Sequence, residues 1–245
     1  MILLTNPKLL FLKPQKVAGT SFEIALSKFA DENAILTPIV EEDEKIRLDL
    51  GFRGPQNIMI SNLERLIMLF NRTHKDKRYP RSLKFWDHIS AKLVKQRLDL
   101  KVWSESYKIS IIRNPYDSTI SSYFYQGRGR GRIVYSPEDF ENFCFKIRKN
   151  HHKRLKNIDK YFIGKHQIID FYLRYEAIYE DIKKLENKFI NLKGLADLFT
   201  QIKAKGQYRP HNITMKEIYH KSPCAQKIVA EIYHSEIKIF GYECL

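Results

Sequence analysis

Two rhythms of apolar and polar positions run along the chain: short solid apolar runs, and longer stretches with a helical repeat. Lys8 to Lys13 (KLLFLK) is a short, almost continuous apolar run, as expected of a strand buried on both faces. From Thr20 (TSFEIALSKFA), Phe22, Leu26 and Phe29 fall at helical spacing, so a helix starts at the hydroxyl pair. Ala34 to Val40 (AILTPIV) predicts a second strand, with Pro38 at its edge or end. Met59, Leu63, Leu66, Ile67 and Phe70 share one face of a helix expected over 57–70, and another helix is expected from about Ser90 to Leu98. Tyr107 to Arg113 (YKISIIR) is the clearest strand; Asn114-Pro115 ends it, and a helix follows through Tyr125. Ser136-Pro137-Glu138 opens another helix with an N-cap hydroxyl, a first-turn proline and an early acid. Ile168 to Tyr175 (IIDFYLRY) reads as the last strand, with a helix after it, and a closing helix runs over roughly Pro223 to Ile237.

Strands alternating with helices predict an α/β fold: one domain over residues 1–245, with a central, mostly parallel sheet flanked by helices. In such sheets the ligand site lies at the carboxyl ends of the strands. The 245 residues, 43% of them hydrophobic, are enough for a sizeable core. Lysine and arginine number 43 against 28 acidic residues, a formal charge of +15, which calls for an anionic partner. The cysteines Cys144, Cys224 and Cys244 are far apart and lack CxxC spacing, so neither a disulfide framework nor a zinc site is expected. The start, MILLTNPKLLFLKP, is apolar but broken by Asn6, Pro7 and Lys8. Neither a signal peptide nor a membrane span is expected, and the chain reads as a soluble cytoplasmic protein.

The first expected strand, then KPQKVAGTS, then a helix is the geometry in which backbone N–H groups at a helix start cradle a phosphate. Gly19 lets the backbone approach closely, Thr20 and Ser21 offer hydroxyls, and Lys16 supplies a mobile positive charge. The order differs from a Walker A loop, G-x-x-x-x-G-K-[ST], because the lysine precedes the glycine. A kinase or ATPase reading loses most of its support there. A second motif, RNPYDSTISSY from Arg113 to Tyr123, also follows an apolar strand. An arginine at a strand end and Ser121 eight residues later can converge on a second phosphate.

In this pair of motifs the sequence resembles the sulfotransferases that use 3′-phosphoadenosine-5′-phosphosulfate (PAPS), in their bacterial and glycan O-sulfotransferase branch. KVAGTS is similar to the family's 5′-phosphosulfate loop, PK-[TV]-[AG]-G-T-S, and RNPYDSTIS to its 3′-phosphate motif, R-x-P-x-x-x-x-x-S. Two departures are visible: Gln15 precedes the lysine, with the proline set back to Pro14, and Ser118 stands where many members carry a second arginine. LRYEAIYEDIKKL (Leu173 to Leu185) resembles the family's late strand and helix, and YRPHNITMKEIY its closing C-terminal segment.

The resemblance implies a sulfuryl transfer from PAPS to a hydroxyl acceptor, a glycan or a small metabolite, with release of 3′,5′-adenosine bisphosphate (PAP). Lys16 is then the group that neutralises the leaving oxygen. Val17, Ala18, Gly19, Thr20 and Ser21 belong to the phosphosulfate loop, Arg113 and Ser121 to the 3′-phosphate site. Tyr208 and Arg209 are expected at the adenine or 3′-phosphate. The base is assigned to His88 in KFWDHIS, on the pKa of histidine and on a catalytic histidine between the two motifs in glycan 2-O-sulfotransferases. Glu41, Glu42 and Asp43 are the alternative. The segment GRGRGR (Gly127 to Arg132) is a cationic loop suited to an anionic or polyhydroxyl acceptor. His151 and His152 are adjacent, without the helical spacing that favours ligation, so no metal is expected. Glu176 and Asp181 are expected to cap and orient a helix. A nucleic-acid-binding module explains the charge alone, and a member that binds PAP without catalysis is a third reading.

Overall fold

Leu9, Leu10, Phe11 and Leu12 are all fully buried, yet they point alternately to opposite sides of the sheet they help form. Leu9 and Phe11 pack with Phe22, Ala25, Leu26, Ile182 and Leu185; Leu10 and Leu12 pack with Phe85, Trp86, Val94 and Tyr161. Both faces of the sheet are therefore covered, which is why the run carries no polar alternation. This computed structural model describes residues 1–61, 82–127, 134–150, 157–202 and 213–243.

The strands are β1 (Ile2–Leu4), β2 (Leu9–Phe11), β3 (Ile35–Leu36), β4 (Tyr107–Ile112), β5 (Phe162–Ile163), β6 (His166–Gln167) and β7 (Phe171–Arg174). Five make a mixed sheet in the order β3-β1-β2-β4-β7, and β5 and β6 form a separate small hairpin. β2, β4 and β7 pair in parallel, with Phe11 opposite Ile109 and Ile112 opposite Arg174. β1 is antiparallel to both of its neighbours, so β3 runs with the parallel set and only β1 is reversed. The carboxyl ends of β2 and β4 thus lie side by side on one edge, with the helices Gly19–Ser27 and Pro115–Gly127 starting from them.

The predicted α/β architecture is observed, with corrections. The strand read over 8–13 is the second of the chain, so the lysine loop does not follow the first strand. The broken apolar start Ile2–Leu4 pairs with β2 as a hairpin, which three buried residues sustain because β3 covers the other side. The second predicted strand shrinks to two residues before Pro38. Residues 57–61, expected to begin a helix, are not helical: Met59 bridges Leu83, and Gln56 just before them bridges Leu36. Residues 62–70 of that helix lie outside the described residues. The closing helix is two, Pro223–Ile232 and His234–Phe240, divided at Tyr233, whose backbone leaves helical geometry. Among the described residues no helix is long and apolar enough to cross a membrane.

The third apolar cluster joins Tyr116, Ile120, Tyr123 and Phe124 of the helix Pro115–Gly127 to Phe140, Tyr219, Ile228 and Val229. It fixes that helix against the C-terminal part of the chain. Ser136 begins the helix Pro137–Asn150, its hydroxyl accepting from the N–H of Asp139 at 3.3 Å.

Candidate functional site

Residues 12–18 leave β2 and enter the helix Gly19–Ser27, and four side chains from three other segments meet their backbone oxygens. The Leu12 carbonyl accepts from the Ser110 hydroxyl at 2.7 Å. The Lys13 carbonyl lies 3.2 Å from Nδ1 of His88. The Gln15 carbonyl accepts from the Asn157 amide at 3.1 Å, while the Gln15 N–H donates to the same amide's oxygen at 2.7 Å. The Lys16 carbonyl accepts from Nη1 of Arg113 at 2.8 Å. A trans peptide points its oxygen and the next N–H in opposite directions. Fixing the oxygens of Gln15 and Lys16 therefore turns the N–H groups of Lys16 and Val17 away from those clamps.

Lys16 and Ala18 both adopt the left-handed region, at φ 60° and 59°, which disfavours residues with a Cβ. His88 does so too, at φ 55°. Three of the four non-glycine residues with positive φ among the described ones thus meet at this loop, and such strain clusters at functional sites. Ala18 is the N-cap of the helix Gly19–Ser27 and no side chain caps it; the first turn also carries no acid. The start of this helix is the positive end of its dipole, with first-turn N–H groups that have no partner within the helix. Val17 is buried in the core, so only its backbone faces the loop. Thr20 is half-buried and Ser21 nearly fully buried.

Arg113 stands at the end of β4. Besides Lys16, it binds Asp117 through Nε (2.7 Å) and Nη2 (2.6 Å), and its guanidinium lies 3.8 Å over the ring of Tyr175. Three of its five N–H groups are accounted for in this way. The next residue is tied as well: the Asn114 N–H donates to Glu176 at 2.6 Å. Asp117, Ser121 and Tyr125 recur every four residues on one face of the helix Pro115–Gly127. Asp117 holds Arg113, and the Tyr125 ring lies 3.8 Å from the Lys16 ammonium. Ser121 is half-buried between them on that stripe. Ser118 donates its hydroxyl back to the Pro115 carbonyl at 3.0 Å.

Beneath the loop lies a buried charge cluster. Lys13, 3% exposed, reaches Glu23 at 2.7 Å and Asp87 at 3.0 Å. Burial alone would lower the Lys13 pKa, but Asp87 and Glu23 outweigh it and raise it above the ordinary lysine value. Burial pushes Asp87 and Glu23 upward; Lys13 outweighs it in both, and both end below the usual carboxylate range. His88 has Nε2 3.3 Å from Asp87. Burial lowers its pKa, Asp87 raises it and Lys13 lowers it again, for a net position of about 4. The imidazole is neutral at pH 7, with Nδ1–H on the Lys13 carbonyl. At about 4 its pKa lies well below working pH, so the ordinary histidine pKa no longer supports its assignment as the base, which rests on its place beside the loop. Asp87 would steady the imidazolium formed on taking a proton at Nε2.

The fold accordingly brings Lys16, Arg113 and His88 to one loop and sets Ser121 on the facing stripe. Glu41 and Glu42 are exposed and Asp43 is buried in the first turn of Glu41–Asp49, two strands away in the sheet at β3. Tyr208, Arg209, Cys244, His151, His152 and the loop 128–133 lie outside the described residues. Asp181 binds Arg174 by main chain and side chain at 2.8–3.0 Å, orienting its helix as expected, whereas Glu176 serves the Arg113 end of β4 instead. Asn157, Tyr125 and Tyr175 were not read from the sequence. Tyr125 had a signal in its four-residue offset from Ser121; Asn157, 142 residues from Gln15, had none.

The chemistry of the donor set fits an anion: an uncapped helix start, the Lys16 ammonium lying against Tyr125 and the strand-end Arg113 guanidinium. Compared with known proteins, the chain matches no family model and no curated protein.

Proposed function

We propose that this chain is a PAPS-dependent sulfotransferase acting on a hydroxyl acceptor, an anionic glycan or a small metabolite. One observation carries the reading: Arg113, from the second motif, is hydrogen-bonded to the backbone of Lys16 in the first. This joins the two motifs, 97 residues apart, at neighbouring parallel strand ends, where α/β sheets bind ligands, and so supports reading them as one anion site.

Bound there, the phosphosulfate would supply the sulfuryl group. Lys16 would neutralise charge on the departing phosphate oxygen; its stem leaves a strained backbone turn and its ammonium rests on Tyr125. Arg113 and Ser121 would hold the 3′-phosphate and so select PAPS over a nucleotide lacking it. His88 would accept the proton of the acceptor hydroxyl at Nε2 and hold it beside Asp87. The excess of basic residues favours an acceptor that is itself anionic.

Calorimetric titration with PAP, ADP and 5′-AMP, on wild type and Arg113→Ala, tests the reading. PAP should bind, ADP and 5′-AMP only weakly, and Arg113→Ala should weaken PAP by about a hundredfold. Binding of ADP without PAP would return the kinase reading; no binding of any of the three would remove nucleotide chemistry from this loop.

A further inference from the structure

We propose that Asn157 is a positioning residue: its side chain latches the Gln15 peptide so that Lys16 keeps the backbone conformation the site requires. The proposal rests on the sulfotransferase reading only for what the loop binds, not for the latch itself.

Asn157 occupies the N-cap of the short helix Ile158–Tyr161, where an asparagine side chain ordinarily accepts from the helix's own first N–H groups. Here it makes no such bond. The amide faces the loop instead, accepting from the Gln15 N–H at 2.7 Å and donating to the Gln15 carbonyl at 3.1 Å. That is a two-bond grip on a single residue, of the kind a strand partner makes. Both backbone polar groups of Gln15 are used, and the next residue is Lys16 at φ 60°.

A non-glycine residue in the left-handed region relaxes unless its neighbours hold it. Lys16 is held on its carbonyl side by Arg113 and on its amino side by Asn157, one peptide apart. Asn157 is itself fixed, because its N–H donates to Glu236 at 3.0 Å. Glu236 is 7% exposed and belongs to the helix His234–Phe240. A chain of contacts thus runs from the C-terminal helix through Asn157 and Gln15 to the lysine. Of these residues, Asn157 and Glu236 line a small cavity with Arg113, Ser118, Tyr161 and Tyr233. Gln15 stands where the resembled family has proline, which has no N–H to donate; the glutamine supplies the donor the latch uses.

Hydrogen–deuterium exchange on the full chain, followed in the peptide 12–19, tests the latch without any ligand. Asn157→Ala should speed exchange there by roughly tenfold while the rest of the chain is unchanged. Asn157→Asp keeps the acceptor for the Gln15 N–H but loses the donor to its carbonyl, so it should fall between. It also keeps the side-chain shape should the alanine variant fold poorly. Titrated with PAP, Asn157→Ala should bind about tenfold more weakly than wild type. Unchanged exchange in both variants, or acceleration spread evenly over the chain, would overturn the latch. If wild type binds no PAP while the local acceleration appears, the latch stands and the sulfotransferase reading falls. If PAP binds wild type and both variants alike and exchange is unmoved, the latch falls and the function stands.

Discussion

The Arg113 guanidinium donates to the carbonyl oxygen of Lys16 at 2.8 Å, across 97 residues of sequence. One planar fork thereby serves Lys16 and Asp117 while stacking on Tyr175. A lysine could keep the charge but not this planar, forked geometry. Arg113→Lys should therefore weaken PAP by tenfold or more in calorimetry, as a rough expectation. An affinity equal to wild type would mean that charge alone, and not the join between the two motifs, matters.

Lys16 should carry the chemical step more than the binding step. Lys16→Ala is expected to cut PAP release from PAPS, at saturating acceptor, by about 10²-fold or more. Tyr125→Phe keeps the ring that the ammonium rests on and should stay near wild type, whereas Tyr125→Leu should not. Full activity in Lys16→Ala would strip the lysine of its role.

His88 ties activity and stability to pH. Its folded-state pKa is held near 4 against an ordinary 6.5. Between those values the unfolded chain binds a proton that the folded chain does not. Wild type should thus lose up to ~3 kcal/mol of stability as pH falls from 6.5 through 4, and His88→Ala should lose less across that window. Denaturant melts at several pH values read the difference. For turnover, His88→Ala should lose about 10²-fold while Glu42→Gln changes little; the reverse order would move the base to the Glu41–Asp43 turn.

Glu23 lies at the centre of the buried cluster. Glu23→Gln would leave the Lys13 ammonium, 3% exposed, with Asp87 as its remaining carboxylate. Removing one partner of a buried pair costs about 3–5 kcal/mol, so a large fall in the urea midpoint is expected. A midpoint within experimental error of wild type would show that Asp87 suffices.

Gly19 is small because Lys13 passes over it. A Cβ on Gly19 would stand 3.0 Å from Cγ of Lys13, and that side chain is pinned at its far end by two carboxylates. Gly19→Ala should lower stability by about 1–3 kcal/mol, measured by thermal unfolding, with a larger effect on PAP binding if the loop yields instead of the lysine.

Much of this was written in local pattern. The solid runs of β2 and β4, the helix beginning at Gly19 and the helix after Pro115 follow from residues within a few positions of one another. The hairpin strand Ile2–Leu4 was hidden because a three-residue strand has too few positions to show a period. The helix expected over 57–70 failed at its start because Met59 finds a strand-like partner in Leu83. The lysine in FLKP was itself a signal, a charge inside an apolar run that asks for a buried partner, but the identity of Glu23 and Asp87 was not in it.

By itself the sequence determined which residue types stand at the ends of two apolar strands, the basis of the proposal that an anion binds there. Only the tertiary structure decided that the two ends are adjacent, that His88 lies against the same loop, and that Asn157 grips Gln15. The physical reason is range. Strand and helix periods arise from neighbours along the chain, whereas a hydrogen bond across 97 or 142 residues exists only once parallel pairing and helix packing have set both partners within 3.1 Å.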